Sequence, residues 1–117
     1  MYTIKVDEAS NQVEVEFSGM VSVDEAALYV FELQRAFIAD RLRAGYSIVV
    51  DLAECPVQSQ ATIGAMRAHM ATMPKAGAIA VVVGSSPVRM QATRLFTQAY
   101  ARIVDTPDQA RAWIGPH

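Results

Sequence analysis

The rhythm of apolar and polar residues changes twice along this chain. Val13, Val15 and Phe17 alternate with Glu14, Glu16 and Ser18. A period of two predicts a half-buried strand. Ile4 and Val6 alternate in the same way before the turn-rich stretch Asp7-Glu8-Ala9-Ser10-Asn11. The chain therefore opens on an antiparallel hairpin. Ser22-Val23-Asp24-Glu25 has the spacing of a capping box, a serine with a glutamate three residues later. It predicts a first helix that Gly45 ends. Ser47 to Leu52 and Ala78 to Val83 are short, continuously apolar runs, as expected of strands covered on both faces. Between them Pro56 breaks the chain, and a second helix begins at Ser59 or Gln60 and stops before Pro74 and Gly77. Ser86-Pro87 reads as a cap followed by proline at the first helical position, opening a third helix toward Arg102. Ile103-Val104-Asp105 is a stub of strand. Thr106-Pro107-Asp108 starts a last helix expected to bury Ala110, Trp113 and Ile114.

This order predicts an α/β fold over residues 1–117 as one domain. An N-terminal β-hairpin leads into alternating βα units, giving a mixed sheet of about four or five strands with about four helices.

The first helix has apolar residues on two sides. Wound at 100° per residue, it places Leu28, Phe31, Ile38 and Leu42 on one side and Ala26, Val30, Leu33 and Phe37 nearly opposite. A surface helix needs only one apolar face. The second, Ala26, Val30, Leu33 and Phe37, is expected to be a self-association or partner face.

Composition narrows the function classes. The 117 residues are 52% hydrophobic and 19% charged, with a mean hydropathy of +0.19. That excludes disorder, which needs low hydrophobicity and high charge. No apolar run reaches the roughly 18–20 residues of a membrane span. The first residues lack the pattern of a signal peptide, and the single Cys55 suits a reducing, cytoplasmic setting. Net charge is −2 with a pI near 5.6, so no nucleic-acid partner is expected. The distribution is uneven: residues 1–60 carry four Lys+Arg against ten Asp+Glu, and residues 61–117 carry six against two. Opposed solvated faces account for this, the alternative being a basic partner surface near Arg89, Arg94 and Arg102.

Candidate chemistry is sparse. Ligands of open α/β sheets sit beyond the carboxyl ends of the strands, which selects the loops after Leu52 and Val83. Each enters a helix N-terminus, where free N–H groups favour an anion. Ser85, Ser86 and Arg89 are the expected anion or partner site. Asp51, Glu54, Cys55 and Ser59 form a reactive cluster, but no histidine or lysine lies in those loops to act as a base. His69 lies well along the second helix and His117 ends the sequence. No catalytic residue, no metal site and no cofactor are expected. Ile63, Met66, Met70 and Met73 make one helical stripe, suited to packing on the sheet or to lining an apolar ligand groove.

Three strings carry a family resemblance: Ile48-Val49-Val50-Asp51-Leu52 followed by a helix-starting loop, Ala78 to Val83 followed by Gly84-Ser85, and the ending Ala110-Arg111-Ala112-Trp113-Ile114. As a set, spanning nearly the whole chain, they resemble the STAS-like proteins. These are the domain class of sulfate transporters and anti-sigma factor antagonists, including the small bacterial SpoIIAA-like group. In such antagonists an Asp-Ser pair follows the Asp-Leu strand, and a partner kinase phosphorylates the serine. Counted from Asp51-Leu52, the serine falls at Gln60 and the aspartate at Ser59, so the pair is absent. Ser59 lies one residue early and Thr62 two late. Ser59, Gln60 and Thr62 are the phospho-switch-like loop that the resemblance implies, since phosphate adds about −1.5 to −2 charges at a helix N-terminus.

The expectation is a non-enzymatic regulatory or protein-interaction module that self-associates, its partner a protein or a second copy of itself. The alternative is a small-ligand or lipid-binding protein, since the SpoIIAA-like group is similar in fold to CRAL-TRIO domains. Its occupant would be an apolar small molecule.

Overall fold

The structure, a computed structural model, describes residues 1–115. Two alternating segments pair as the expected hairpin: β1 (Tyr2–Asp7) runs antiparallel to β2 (Gln12–Ser18), with Ile4 opposite Val15 and Val6 opposite Val13. The turn places Asn11 at φ 54, a conformation asparagine tolerates better than most residues. Three further strands, β3 (Ser47–Glu54), β4 (Ala78–Val83) and β5 (Ala101–Val104), continue the sheet in parallel. The spatial order is β1-β2-β3-β4-β5, with no reversal.

That monotonic order decides where the helices lie. Parallel crossovers are right-handed almost without exception. Repeated in one direction, they put each connecting helix on the same face. Burial agrees: α1 (Val23–Ile38) and α3 (Ser86–Leu95) bury Val30, Leu33, Val88 and Ala92 against Val15, Val50 and Val81. α2 (Gln60–Met70) adds Met66 to the same cluster. Among the described residues the opposite face is covered by α4 (Pro107–Ile114), whose Ala110 packs with Val49, Ala80 and Val82. β1 and β2 lie at its margin, where Arg111 and Ile114 border a hollow with Lys5 and Glu14, and Lys5, Glu14 and Glu16 stay exposed. This explains why β2 alternates while Ile48–Val50 of β3 and all of β4 are apolar.

Several boundaries differ from the expected ones. α1 stops at Ile38, well before Gly45. Asp40 takes φ 58, and the Ala36 carbonyl accepts from both Arg41 and Leu42. The chain thereby folds back and inserts Leu42, 1% exposed, into the core. Ser22 caps α1 through the Glu25 N–H, but the Glu25 carboxylate pairs with the Met1 ammonium at 2.8 Å instead of closing a capping box. The full box forms at α4, between Thr106 and Gln109. Ser85, not Ser86, caps α3, with Pro87 in the first turn. α3 ends at Leu95, and Phe96 turns extended so that Ala101–Val104 can join the sheet.

The largest correction concerns the first helix. Ala26, Val30 and Leu33 are 0%, 3% and 2% exposed, and Phe37 is half-buried against Tyr46. The expected partner face is the one that covers the sheet. The outward arc is Leu28, Phe31 and Ile38, exposed by 58%, 59% and 82%. Arg35 and Asp24 wind into the middle of that arc, which makes it the cheaper face to leave in water. Trp113 is likewise not a buried plug. Its ring lies at the surface under the Arg102 guanidinium, 4.2 Å away, and its N–H donates to the Tyr100 carbonyl.

Candidate functional site

The phospho-switch-like loop is built around hydrogen bonds that periodicity does not reveal. Gln58 accepts from Val21 N–H at 2.7 Å and donates to the carbonyls of Gly19 and Pro56. Its backbone exchanges two bonds with the Gln91 side chain on α3. Ser59 caps α2 and is exposed, as is Gln60. Thr62 is 2% exposed and donates to the Val21 carbonyl at 2.6 Å, so its hydroxyl is closed to a kinase. Cys55 is half-buried, and burial pushes its thiol up, the reverse of an activated nucleophile.

The second loop is equally self-satisfied. Gly84 lies so close to β3 that a Cβ would stand 2.5 Å from the Ala53 carbonyl oxygen. Ser85 is occupied as the α3 cap, and Ser86 sits exposed in the first helical turn. Arg89 forms an ion pair with Asp105 and donates to the Ile103 carbonyl at 3.4 Å. The acid it answers belongs to this chain. With Arg111 paired to Asp108 and Arg102 stacked on Trp113, Arg94 is left as the basic side chain of this region without such a partner among the described residues. A concerted basic surface does not assemble there. Among the described residues no group of three or more His, Cys, Asp or Glu is placed to hold a metal.

The cavity lies elsewhere. α2 buries only Thr62, and its stripe of Ile63, Met66 and Met70, continued by Met73, is half-buried. Between this stripe, α1 and the sheet remains an apolar cavity of about 220 Å³. Tyr29, Val30 and Leu33 of α1 form one wall, Ile48, Val50 and Ile79 the floor, and Met66, Met70 and Met73 the opposite wall. A smaller pocket of about 60 Å³ continues toward Leu52 and Cys55, and Phe17, Val50, Met66 and Phe96 line both.

The polar groups of the larger cavity gather at one end, formed by the segments that enter β3, β4 and β5: Tyr46, Lys75, Gln98 and Tyr100, with His69 from α2. This is the amino edge of the parallel strands. The carboxyl-end rule applies where strand order reverses and opens a crevice, and no reversal occurs here. Close approach of the backbone shapes this edge. A Cβ on Gly77 would stand 2.6 Å from the Gly45 carbonyl oxygen, and Gly45 N–H donates to the Lys75 carbonyl at 2.8 Å. Burial raises the Tyr29 hydroxyl well above its ordinary range and pushes Tyr46 up to about 12, with Tyr100 nearby contributing. Both are therefore neutral donors at physiological pH. The methionine stripe was visible in the sequence. The tyrosines and Gln98 carry no periodic signal there, because they converge only when three strands lie side by side.

No family model matches the chain, and no curated protein matches it by sequence. Solved structures do. A protein with a SpoIIAA-like fold from Shewanella loihica PV-4 has TM-score 0.71 at 12% identity, covering 97% of this chain and 94% of that one. The anti-sigma factor antagonist SpoIIAA in its unphosphorylated form has TM-score 0.61 at 11% identity, covering 93% and 92%. An anti-sigma factor antagonist from Mycobacterium paratuberculosis has TM-score 0.61 at 19% identity, covering 94% and 91%. At these identities the likeness establishes architecture alone: the chain has the STAS-like, SpoIIAA-like fold.

Proposed function

We propose that this chain is a non-enzymatic binding module whose cavity holds a small, largely apolar molecule. The observation that carries this reading is the cavity of about 220 Å³, walled by aromatic, aliphatic and methionine side chains with its polar groups at one end. Ligand sites are typically concave, mostly apolar and furnished with a few convergent polar groups. The half-buried methionines suit such a wall because their unbranched thioethers repack around an occupant. Native mass spectrometry of the freshly purified chain, with thermal shifts on adding apolar acids and alcohols, tests this. An adduct or a ligand-dependent stabilisation is expected, and Met70→Trp should abolish it. Neither adduct nor shift with any of these molecules would overturn the reading.

A second function, protein contact in a regulatory setting, is favoured by the exposed arc of Leu28, Phe31 and Ile38 on α1. The relatives in fold that are anti-sigma factor antagonists point the same way. Under this reading residues 1–117 act as one cytoplasmic domain that meets a protein or a second copy through that arc, with Ser59 as the accessible hydroxyl of the switch-like loop. Light scattering should then show a larger mass for the native chain than for Phe31→Glu. Equal monomeric masses would remove self-association.

A further inference from the structure

The binding reading leaves the ligand's chemistry open, and the polar end of the cavity specifies it. Among the described residues no aspartate or glutamate lines the cavity, and Lys75 brings an ammonium to it, with the His69 imidazole on the same lining. Lys75 has no carboxylate partner among the described residues, and its Nζ stands 5.5 Å from the centre of the Tyr100 ring. The hydroxyls of Tyr29, Tyr46 and Tyr100 make no hydrogen bond to another described residue, while the buried Gln98 Oε1 is an acceptor without a donor. Phenol hydroxyls beside an ammonium that packs over the Tyr100 ring give this end hydrogen-bond donors and no carboxylate. An anionic acceptor makes the strongest hydrogen bonds with such donors. The opposite end, toward Met66 and Phe96, presents no charged side chain.

Size follows from proportion. An engineered apolar cavity of 150 Å³ accepts benzene, and this one measures about 220 Å³. Resting on the binding reading above, we infer that the cavity selects a monocarboxylate amphiphile of about nine non-hydrogen atoms by that proportion. Its carboxylate sits at the Lys75 and Tyr100 end and its body runs toward Met66 and Phe96. The smaller adjoining pocket of about 60 Å³ gives a slightly longer tail somewhere to go.

Calorimetric titration of the purified chain with octanoate, 3-phenylpropanoate and 1-octanol tests this. The two acids separate a straight-chain from an aromatic body, and the alcohol keeps the body while removing the charge. At least one acid should bind about tenfold more tightly than 1-octanol, as a charge-assisted hydrogen bond predicts. Lys75→Met should erase that preference by weakening acid binding about tenfold. The lysine side chain is exposed and its structural bond is made by its backbone carbonyl, so the variant should fold. Tyr100→Phe should narrow the preference in the same direction. If 1-octanol binds as tightly as both acids, or if Lys75→Met keeps the preference, the assignment of the head falls while the cavity reading stands. If none of the three binds, the cavity reading falls and this inference with it. Acid binding that survives Met70→Trp would place the site elsewhere and overturn the inference.

Discussion

The two faces of the sheet are covered in opposite ways. One carries a single eight-residue helix that packs tightly on the strands directly beneath it, Ala110, Ala80 and Val82 all fully buried, and leaves a polar hollow toward the hairpin, lined by Lys5, Glu14, Arg111 and Ile114. The other carries three helices and still encloses a cavity of about 220 Å³. Small side chains let α4 lie close, so little space is left between its backbone and the strands. On the other face long, flexible methionines and bulky aromatics hold α2 away from the floor. The amount of covering structure does not decide how completely a face is filled. The size and stiffness of the contacting side chains do.

Mutations can break or sharpen that contrast. The largest effect is expected at Leu33, 2% exposed, where Leu33→Ala should cost about 3 kcal/mol in chemical denaturation because it enlarges a space already poorly filled. A cost below about 1 kcal/mol would show that α1 contributes little to this core. Next comes alkaline pH, which acts on the cavity side through Tyr46. Unfolded tyrosine ionises near its ordinary value of 10.0, whereas folded Tyr46 keeps its proton to about 12. Between these values the unfolded chain binds fewer protons, so stability falls as pH rises. The loss is on the order of 2 kcal/mol by pH 12. Phenolate absorbance that rises in a single step near 10 would contradict it.

The contrast is sharpest in a pair of enlargements. Ala110→Leu overpacks the tight face and should cost about 1.5 kcal/mol. Val30→Ile adds a methylene toward the cavity and should be neutral or stabilising by up to about 0.8 kcal/mol. Equal costs in thermal melts would mean that the two faces are packed alike. The smallest effect on stability belongs to the outer arc of α1. Phe31→Ser, at a site 59% exposed, should change folding by less than about 0.5 kcal/mol.

Much of this architecture is legible in the sequence because it depends on local rules. Val13, Val15 and Phe17 alternate with acids because α4 leaves that face of β2 exposed. Ser22, Ser59 and Thr106 mark helix starts because a short oxygen-bearing side chain answers a free N–H. The helix ends were harder to place. Asp40 stops α1 by adopting a left-handed conformation, and its cause is distant: the burial of Leu42 rewards the reversal. Both apolar arcs of α1 show in the sequence, and it is Ala26, Val30 and Leu33, not Leu28, Phe31 and Ile38, that the sheet buries. The clue lay in Arg35 and Asp24, which wind between Leu28 and Ile38. The switch-like loop was visible as residues, but not the Gln58–Gln91 exchange that holds it.

By itself the sequence determined the order of elements, the hairpin and the double covering of the middle of the sheet. These follow from periodicity, capping and the inventory of side chains, all properties of neighbours along the chain. The tertiary structure alone decided three things: which arc of α1 faces the sheet, that Arg89 answers Asp105, and that Tyr46, Lys75, Gln98 and Tyr100 surround one end of an apolar cavity. Each depends on residues far apart in sequence meeting at a common edge. That edge exists only once the parallel strands stand side by side in one unbroken order.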